Sequence, residues 1–120
     1  MKNSIIFDHV NAKHLSYIGD SIIGARCNFG SAAQIANYRF DAGNVKAKVE
    51  EVVIDTQRNK LGAILGDDVK MGVLSSVMPG KMIGDHCWIG ANVMIEENVE
   101  RYSHVMVEQK LKIKKIERKG

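Results

Sequence analysis

Aliphatic side chains recur at every sixth position along two blocks of the chain. Glycine follows most of these positions, and a small or β-branched residue often stands four positions beyond them. An α-helix repeats every 3.6 residues and would be weakened by regular glycines, while alternating strands repeat every two residues. The pattern therefore indicates a repeating six-residue unit. The aliphatic positions are Leu65, Met71, Val77, Ile83, Ile89 and Ile95, and an earlier block keeps the same frame with Tyr17, Ile23, Phe29 and Ile35.

Such a repeat predicts an all-β, single-stranded parallel β-helix, coiled as a triangular prism. Each hexad supplies one short strand and one corner, and its aliphatic residue points into the prism. We expect the glycine to take a corner conformation with positive φ, which side chains disfavour. Three hexads complete a coil, so residues 18 apart should stack, which predicts coils at 17–34, 65–82 and 83–100.

The segment 36–63 has no hexad frame and is long for a structureless loop. Two short β-like runs, 45–49 and 52–54, predict a projecting hairpin within it. Long excursions from a rigid scaffold are common places for functional residues. After Ile95 the frame fades, and the segment 102–115 is expected to form a terminal strand or two.

Composition and charge fit one soluble domain. The chain has 120 residues, of which 45% are hydrophobic, and a formal charge of +3 that comes largely from the tail 110–119. That tail alternates charge with Leu111, Ile113 and Ile116 and carries no aromatic residue, so we interpret it as a solvated terminal strand or frayed end, with no nucleic-acid partner expected. Without a signal peptide or a long apolar run, no membrane association and a cytoplasmic location are expected.

The cysteines and the flat prism faces suggest two further expectations. Cys27 and Cys87 lie far apart, so neither a disulfide framework nor a paired-cysteine metal site is indicated. A short β-helix has flat faces of small residues that can pack on copies of themselves, and three-fold closure would bury them. We therefore expect a homotrimer.

Several longer strings resemble one enzyme family. The string His-Leu-Ser-Tyr-Ile-Gly-Asp occupies 14–20, followed by Asn-Phe-Gly at 28–30, and further matching phrases stand at 36–41, 58–63 and 78–84. Together they resemble the acetyltransferase domain of bifunctional sugar-1-phosphate nucleotidylyltransferase/acetyltransferases, in particular the archaeal-type branch. The resemblance runs through nearly the whole chain.

This resemblance implies a left-handed coil and a specific reaction. The reaction would be acetyl-CoA-dependent N-acetylation of an amino-sugar 1-phosphate, glucosamine- or galactosamine-1-phosphate, in UDP-N-acetylhexosamine synthesis. Residues 1–120 would then be a single β-helix domain, a C-terminal fragment of a longer enzyme that also has a nucleotidylyltransferase domain.

Three residues match catalytic positions of that family. A base that titrates near neutrality suits removal of a proton from the sugar amine, and an unperturbed histidine has a pKa of about 6.5. His14 occupies the position of the family's catalytic histidine. Asn28 and Asn37 match asparagines that hydrogen-bond the sugar and the acetyl carbonyl, where a carboxamide can stabilise the oxyanion.

Six more positions are candidates for binding. Lys2 and Tyr17 match family residues that contact the phosphate, and Lys46 lies in the excursion where archaeal-type members carry a lysine implicated in the sugar-phosphate site. For Lys46, an exposed charge on a strand edge is an equally good interpretation. Coenzyme A is expected in the groove between two prisms, paired with the coil backbone near the residues two places past a hexad start, which are Ser31, Val73 and Ala91.

Two alternatives remain open at this stage. The family usually reads Ala-Gly-Thr where this chain has Ser-Ala-Ala at 31–33, which would fit a catalytically silent trimerisation or regulatory domain. His86 and His104 are 18 apart and should stack, so a metal-dependent lyase on the same fold is a third hypothesis. It lacks a further histidine at short spacing, and no metal is expected.

Overall fold

The chain folds as a left-handed parallel β-helix whose three flat sheets form the sides of a prism. The structure is a computed structural model, and it describes residues 2–118. The first face is built from strands β1, β2, β7 and β10, the second from β3, β8, β11 and β13, and the third from β4, β9 and β12. The strands are β1 Ile5–Ile6, β2 Ile22–Ile23, β3 Asn28–Phe29, β4 Gln34–Ile35, β5 Lys46–Val49, β6 Val52–Asp55, β7 Ile64–Leu65, β8 Lys70–Met71, β9 Ser76–Val77, β10 Met82–Ile83, β11 Trp88–Ile89, β12 Met94–Ile95 and β13 His104–Val105.

The second residue of each two-residue face strand points into the prism and builds the core. Each inward side chain stacks on the inward side chain of the next coil, because paired strands are parallel and in register. The predicted fold class is therefore confirmed. The fully buried members are Ile23, Phe29, Ile35, Leu65, Met71, Val77, Ile83 and Ile89, with Cys27, Val69, Ser75 and Cys87 between them.

The first-face strands β1, β2, β7 and β10 mark coils one to four, and Val99 marks a fifth. The first coil, which contains β1, departs from the predicted frame by one residue. Ile6 pairs with Ile23, only 17 positions away, and Tyr17 pairs with Gln34. Ile18 is the inward residue, at 1% exposure, whereas Tyr17 points outward at 39% exposure. The assignment of Tyr17 to the aliphatic frame was therefore wrong. An aliphatic neighbour fills the core more favourably than a phenol, whose hydroxyl needs a polar partner.

The expected reason for the glycines was also wrong. Among residues 2–118 the only glycine with positive φ is Gly80, and the left-handed corner positions are held by other residues, such as Ala32 and Leu74. Glycines next to the strands are instead required by close approach of the coils: a Cβ at Gly72 would lie 2.7 Å from the amide nitrogen of Ala91. Backbone cannot yield as a flexible side chain can, so Gly24, Gly30 and Gly72, which face backbone atoms this closely, exclude side chains.

The last coil is two residues shorter than predicted. Coils three and four are 18 apart, as Leu65 pairs with Ile83, but Ile83 pairs with Val99 and Trp88 with His104, at offsets of 16. The expectation that His86 and His104 stack was therefore wrong. His86 stacks on Tyr102 instead, with ring centroids 4.8 Å apart.

The excursion and the tail differ in how well the sequence predicted them. The hairpin forms as expected from β5 and β6, which pair antiparallel, and Val45 is buried at its root. Beyond β13, residues 106–118 form no further strand and are exposed, so the second terminal strand is absent from the described tail. Residue 119 of the basic tail lies outside the described residues. No helix within residues 2–118 is long and apolar enough to cross a membrane.

An ion pair between Arg26 and Asp68 lies at the first corner, between the first and second faces. Arg26 forms two hydrogen bonds of 2.9 Å with the carboxylate of Asp68 on the coil above. These bonds and the charge of Arg26 lower the pKa of Asp68, and Asp68 raises the pKa of Arg26. The ion pair therefore favours the ionised carboxylate of Asp68 in the folded chain.

This ion pair predicts a pH-dependent stability difference. A carboxyl group whose pKa is lowered by folding stabilises the fold above its unfolded pKa of about 3.9 and loses that contribution as pH falls through the folded pKa. We expect Asp68→Asn to have a lower Tm than wild type at pH 7, with the difference shrinking as pH falls below about 4. Thermal unfolding of wild type and Asp68→Asn from pH 7 to pH 2 measures the difference in Tm. Asp8→Asn, on the same corner, is the control. A difference independent of pH would contradict it.

Candidate functional site

His14, Ser31, Val73 and Ala91 lie in one column along the second corner, between the second and third faces. Parallel pairing places each of them one coil above the last, as Asn11 pairs with Asn28 and Asn28 with Lys70. The carbonyl groups of Ser31 and Val73 accept hydrogen bonds of 3.0 Å from Leu74 and Asn92 of the next coil. We call this set the donor column.

The donor column presents polar backbone to the surface. Ser31, Val73 and Ala91 are exposed, and their amide N–H groups have no hydrogen-bond partner within residues 2–118. Free amide groups at regular vertical spacing suit an extended ligand that carries carbonyl groups along its length. His14 is exposed at the first-coil end of the column.

A polar cluster occupies the third corner, between the third and first faces. The Nδ2 of Asn37 donates to the hydroxyl of Tyr17 at 3.0 Å and to the Oδ2 of Asp20 at 2.7 Å. Lys2 reaches the same corner through backbone pairing, since it bridges Gly19 and its carbonyl accepts from Asp20. We call Lys2, Tyr17, Asp20 and Asn37 the third-corner cluster.

These bonds settle which groups of the cluster are available to a ligand. An ionised carboxylate only accepts hydrogen bonds, so Asp20 holds the nitrogen side of the Asn37 carboxamide toward itself. With both N–H hydrogens directed at Tyr17 and Asp20, the Oδ1 of Asn37 is left as an acceptor. The hydroxyl of Tyr17 donates to no acceptor among residues 2–118, so its hydrogen is available to an anion.

Asp20 is the functional candidate that sequence reasoning missed. Asp20 is 7% exposed, and its backbone φ of +52° lies within the left-handed region. A carboxylate is rarely buried without a partner, and Asn37 is that partner. The signal was present, because Asp20 closes the string at 14–20, but only the fold shows that it contacts Asn37.

Gly19 explains how Tyr17 reaches the cluster. A Cβ at Gly19 would meet the Tyr17 ring, whose nearest ring carbons lie at 2.8 Å. The tyrosine therefore folds over the glycine, and any side chain at this position would displace the hydroxyl from Asn37.

Asn28 lies on the second face, and Lys46 lies at the third corner near Gly80, outside the cluster as defined above. Asn28 is exposed on the second face, in β3, three residues before Ser31. Lys46 begins β5, and its backbone carbonyl packs against Gly80 at the third corner, one coil above Gly62. Its side chain is exposed and forms no ion pair among the described residues.

The predicted residues thus divide between two corners of one prism. His14 and the other members of the donor column lie at the second corner, and Lys2, Tyr17 and Asn37 lie at the third, with the third face between them. Residues 2–118 contain no group of three His, Cys, Asp or Glu placed to hold a metal ion. Burial raises the pKa of the Cys27 thiol, which makes it a poor nucleophile.

Comparison with solved structures defines the class of the fold. Serine acetyltransferase 1 of Entamoeba histolytica matches with a TM-score of 0.65 at 21% identity, covering 88% of this chain and 37% of that one. AntD, an N-acyltransferase from Bacillus cereus solved with dTDP-4-amino-4,6-dideoxyglucose and coenzyme A, matches with a TM-score of 0.55 at 22% identity, covering 96% and 65%. The chain is a left-handed hexapeptide-repeat β-helix of the kind these acyltransferases contain.

Comparison of sequences gives closer relatives. The chain is 43% identical over 116 residues to the bifunctional protein GlmU of Methanocaldococcus jannaschii, and 47% identical over 115 residues to that of Methanococcus maripaludis strain C5. It is 38% identical over 99 residues to a bifunctional sugar-1-phosphate nucleotidylyltransferase/acetyltransferase of Sulfurisphaera tokodaii. These alignments cover 97%, 96% and 82% of this chain but only 28%, 28% and 25% of the relatives.

The resemblance stated from the sequence is therefore confirmed: this chain is similar to the C-terminal part of the bifunctional enzymes. It spans 28% of the length of the GlmU proteins it matches. No protein-family model matches the chain.

Proposed function

We propose that this chain is the acetyltransferase domain of a bifunctional sugar-1-phosphate nucleotidylyltransferase/acetyltransferase that acts in the cytoplasm. Its reaction would be transfer of the acetyl group of acetyl-CoA to the amine of glucosamine- or galactosamine-1-phosphate. The observation that carries the proposal is the donor column, in which the candidate base His14 stands at one end of a line of free backbone amides. The name of the Sulfurisphaera tokodaii relative, a sugar-1-phosphate nucleotidylyltransferase/acetyltransferase, supports a sugar phosphate as the substrate class.

In this proposal His14 acts as the general base. It takes a proton from the sugar amine as the nitrogen attacks the thioester carbonyl, which forms a C–N bond and an oxyanion. Collapse of this intermediate breaks the C–S bond, and the thiolate of coenzyme A leaves and takes up the proton. Asn28 is better placed than Asn37 to donate to the oxyanion, because the N–H groups of Asn37 are already directed at Tyr17 and Asp20.

The sugar phosphate is assigned to the third-corner cluster. The Lys2 ammonium and the Tyr17 hydroxyl offer the donors that a phosphate requires, and Lys46 stands at the same corner. The Oδ1 of Asn37 would accept from a sugar hydroxyl or from the amine. Asp20 acts as a positioning residue, since it holds the carboxamide of Asn37.

A trimer would bring the two corners together. The outward side chains of the first face form an in-register apolar row of Ile5, Ile22, Ile64 and Met82, the first three at least 39% exposed. Packing this face against a neighbouring prism would bury that row. We propose that three copies assemble so that the second corner of one prism faces the third corner of the next.

Thiol release from acetyl-CoA tests this function. Glucosamine-1-phosphate and galactosamine-1-phosphate would be supplied separately, beside free glucosamine and serine as acceptors that lack the phosphate. Release that requires an amino-sugar 1-phosphate supports the proposal. An intact trimer by light scattering with no release for either phosphate would instead favour the catalytically silent domain.

The cluster predicts a selective effect of removing one hydroxyl. Tyr17→Phe keeps the ring over Gly19 but loses the donor to the phosphate and the bond from Asn37. A hydrogen bond to a charged group is worth roughly 1.5–3 kcal/mol, so the KM for the sugar phosphate should rise at least about tenfold, while the KM for acetyl-CoA stays within about twofold. Tyr102→Phe, an exposed tyrosine at the first corner, is the control and should change neither constant.

A further inference from the structure

The outward side chains of the second face include an exposed tryptophan flanked by a lysine and a histidine. The face presents Asn11, Asn28, Lys70, Trp88 and His104 in register, one per coil. The Nζ of Lys70 lies 5.9 Å from the Trp88 ring centroid, and the His104 ring meets it edge-on with centroids 5.4 Å apart. Trp88 is 54% exposed and is the sole tryptophan of the chain.

Trp88 stands beside the far end of the donor column. Ala91, the last member, follows Trp88 by three residues on the same coil. His14 lies three coils below Ala91, and stacked strands are about 4.8 Å apart, so the column spans roughly 14 Å.

The acyl donor has a matching length. Its pantetheine arm has about twelve bonds between sulfur and the first phosphate oxygen, as many as four extended amino-acid residues, which reach roughly 14 Å. With the thioester at His14, the arm therefore ends level with Ala91. The nucleotide that follows must lie beside the fourth and fifth coils, where Trp88 and His104 are found.

We infer that Trp88 is a stacking platform for the adenine of the acyl donor, with Lys70 and His104 beside it for the phosphates. This inference rests on the proposed function, which supplies the donor and its direction along the column. An aromatic ring stacks readily on a nucleobase, the Lys70 ammonium attracts phosphates, and the His104 ring can donate a hydrogen bond to them. The corner at Gly90 and Ala91 lets the nucleotide turn from the column onto the second face.

On the other side of the same corner, Met94 would contact the nucleotide if it turned onto the third face instead of the second. Met94 follows Ala91 by three residues on the third face and has the same 54% exposure as Trp88. It has no aromatic ring, and its paired neighbour below is Ser76. Met94→Ala is therefore the control for a nucleotide that turns the other way.

Fluorescence of the wild-type protein gives a direct test, because Trp88 is the sole reporter. Coenzyme A should quench it saturably, whereas pantetheine, which lacks the nucleotide, should leave it unchanged. An equal response to both ligands, or no response to coenzyme A at concentrations at which calorimetry shows its binding to be saturated, would overturn the platform. This titration decides the point even if the sugar phosphates prove not to be substrates.

Steady-state kinetics provide the second test. Trp88→Ala should raise the KM for acetyl-CoA at least about fivefold, the lower end of the range for one stacked base, and leave the KM for acetyl-pantetheine unchanged. Trp88→Phe should restore most of the affinity, and Met94→Ala should resemble wild type. The stacking role of Trp88 would be contradicted if the KM rose for both donors, or if only Met94→Ala lost affinity for acetyl-CoA. Either result would leave the acetyltransferase proposal intact. Absence of acetyl transfer by wild type would instead reject the proposed function.

Discussion

Replacing His14 with alanine should lower the rate of thiol release from acetyl-CoA by about 10²- to 10⁴-fold, the range for loss of a general base. The side chain is exposed at the second corner, where its loss leaves no cavity in the core. The expected loss is in kcat, and the affinity for coenzyme A should be unchanged, because the proposed contacts to coenzyme A come from the backbone amides of the donor column. Activity at saturating acetyl-CoA and sugar phosphate, with coenzyme A affinity measured separately, would show this division.

The control for His14 is a second exposed histidine on the same coil. His9 lies at the first corner, away from the donor column, and His9→Ala should retain wild-type activity. Both variants should keep the oligomeric state and Tm of wild type. If His14→Ala kept more than about a tenth of the activity, another group or water would be the base, and the role of the donor column would have to be revised.

Gly24→Ala should lower the free energy of unfolding by about 2–3 kcal/mol, as over-packing commonly does. A Cβ at this position would collide with the backbone of Gly66 and stand 2.7 Å from the amide nitrogen of Asp67. Relief requires the second and third coils to separate, which would strain the parallel hydrogen bonds between β2 and β7. Chemical denaturation followed by circular dichroism measures the change.

Gly43→Ala is the matched control, because its Cβ would meet only the flexible Asp41 side chain, at 3.1 Å. Alanine also reduces the freedom of the unfolded chain, so this change should be neutral within about 1 kcal/mol. Equal effects of the two substitutions would show that loss of glycine flexibility, rather than contact between coils, controls stability. The pair of variants thus separates close approach between coils, which the structure shows, from the positive φ that the sequence had suggested for these glycines.

The two-corner arrangement explains why catalysis should depend on assembly. Within one chain, His14 belongs to the second corner and Asn37 to the third, and the third face separates them. Dissociating conditions should therefore reduce activity even where the β-helix remains folded. In the proposed trimer, the apolar row of the first face would supply the contact between copies.

The period-six pattern was sufficient to predict the architecture. Residues from Leu65 to Ile95 keep an unbroken frame, because stacking every inward aliphatic on the next requires a constant number of residues per coil. The hairpin could also be predicted, because its two β-like runs lie where the six-residue frame is interrupted, and the frame resumes at Leu65. The column of Ser31, Val73 and Ala91 followed from the same frame.

The tertiary structure alone decided the register at both ends and the contacts of the polar residues. A coil that is one or two residues short still closes, so Tyr17 and Ile18 exchange roles, and His104 stacks beside Trp88 rather than His86. Asp20 reaches Asn37 only because a 17-residue coil places one above the other. Periodicity along a chain is a local property that the sequence determined by itself, whereas the partner of a buried polar group depends on how many residues each coil contains, which only closure of the prism decides.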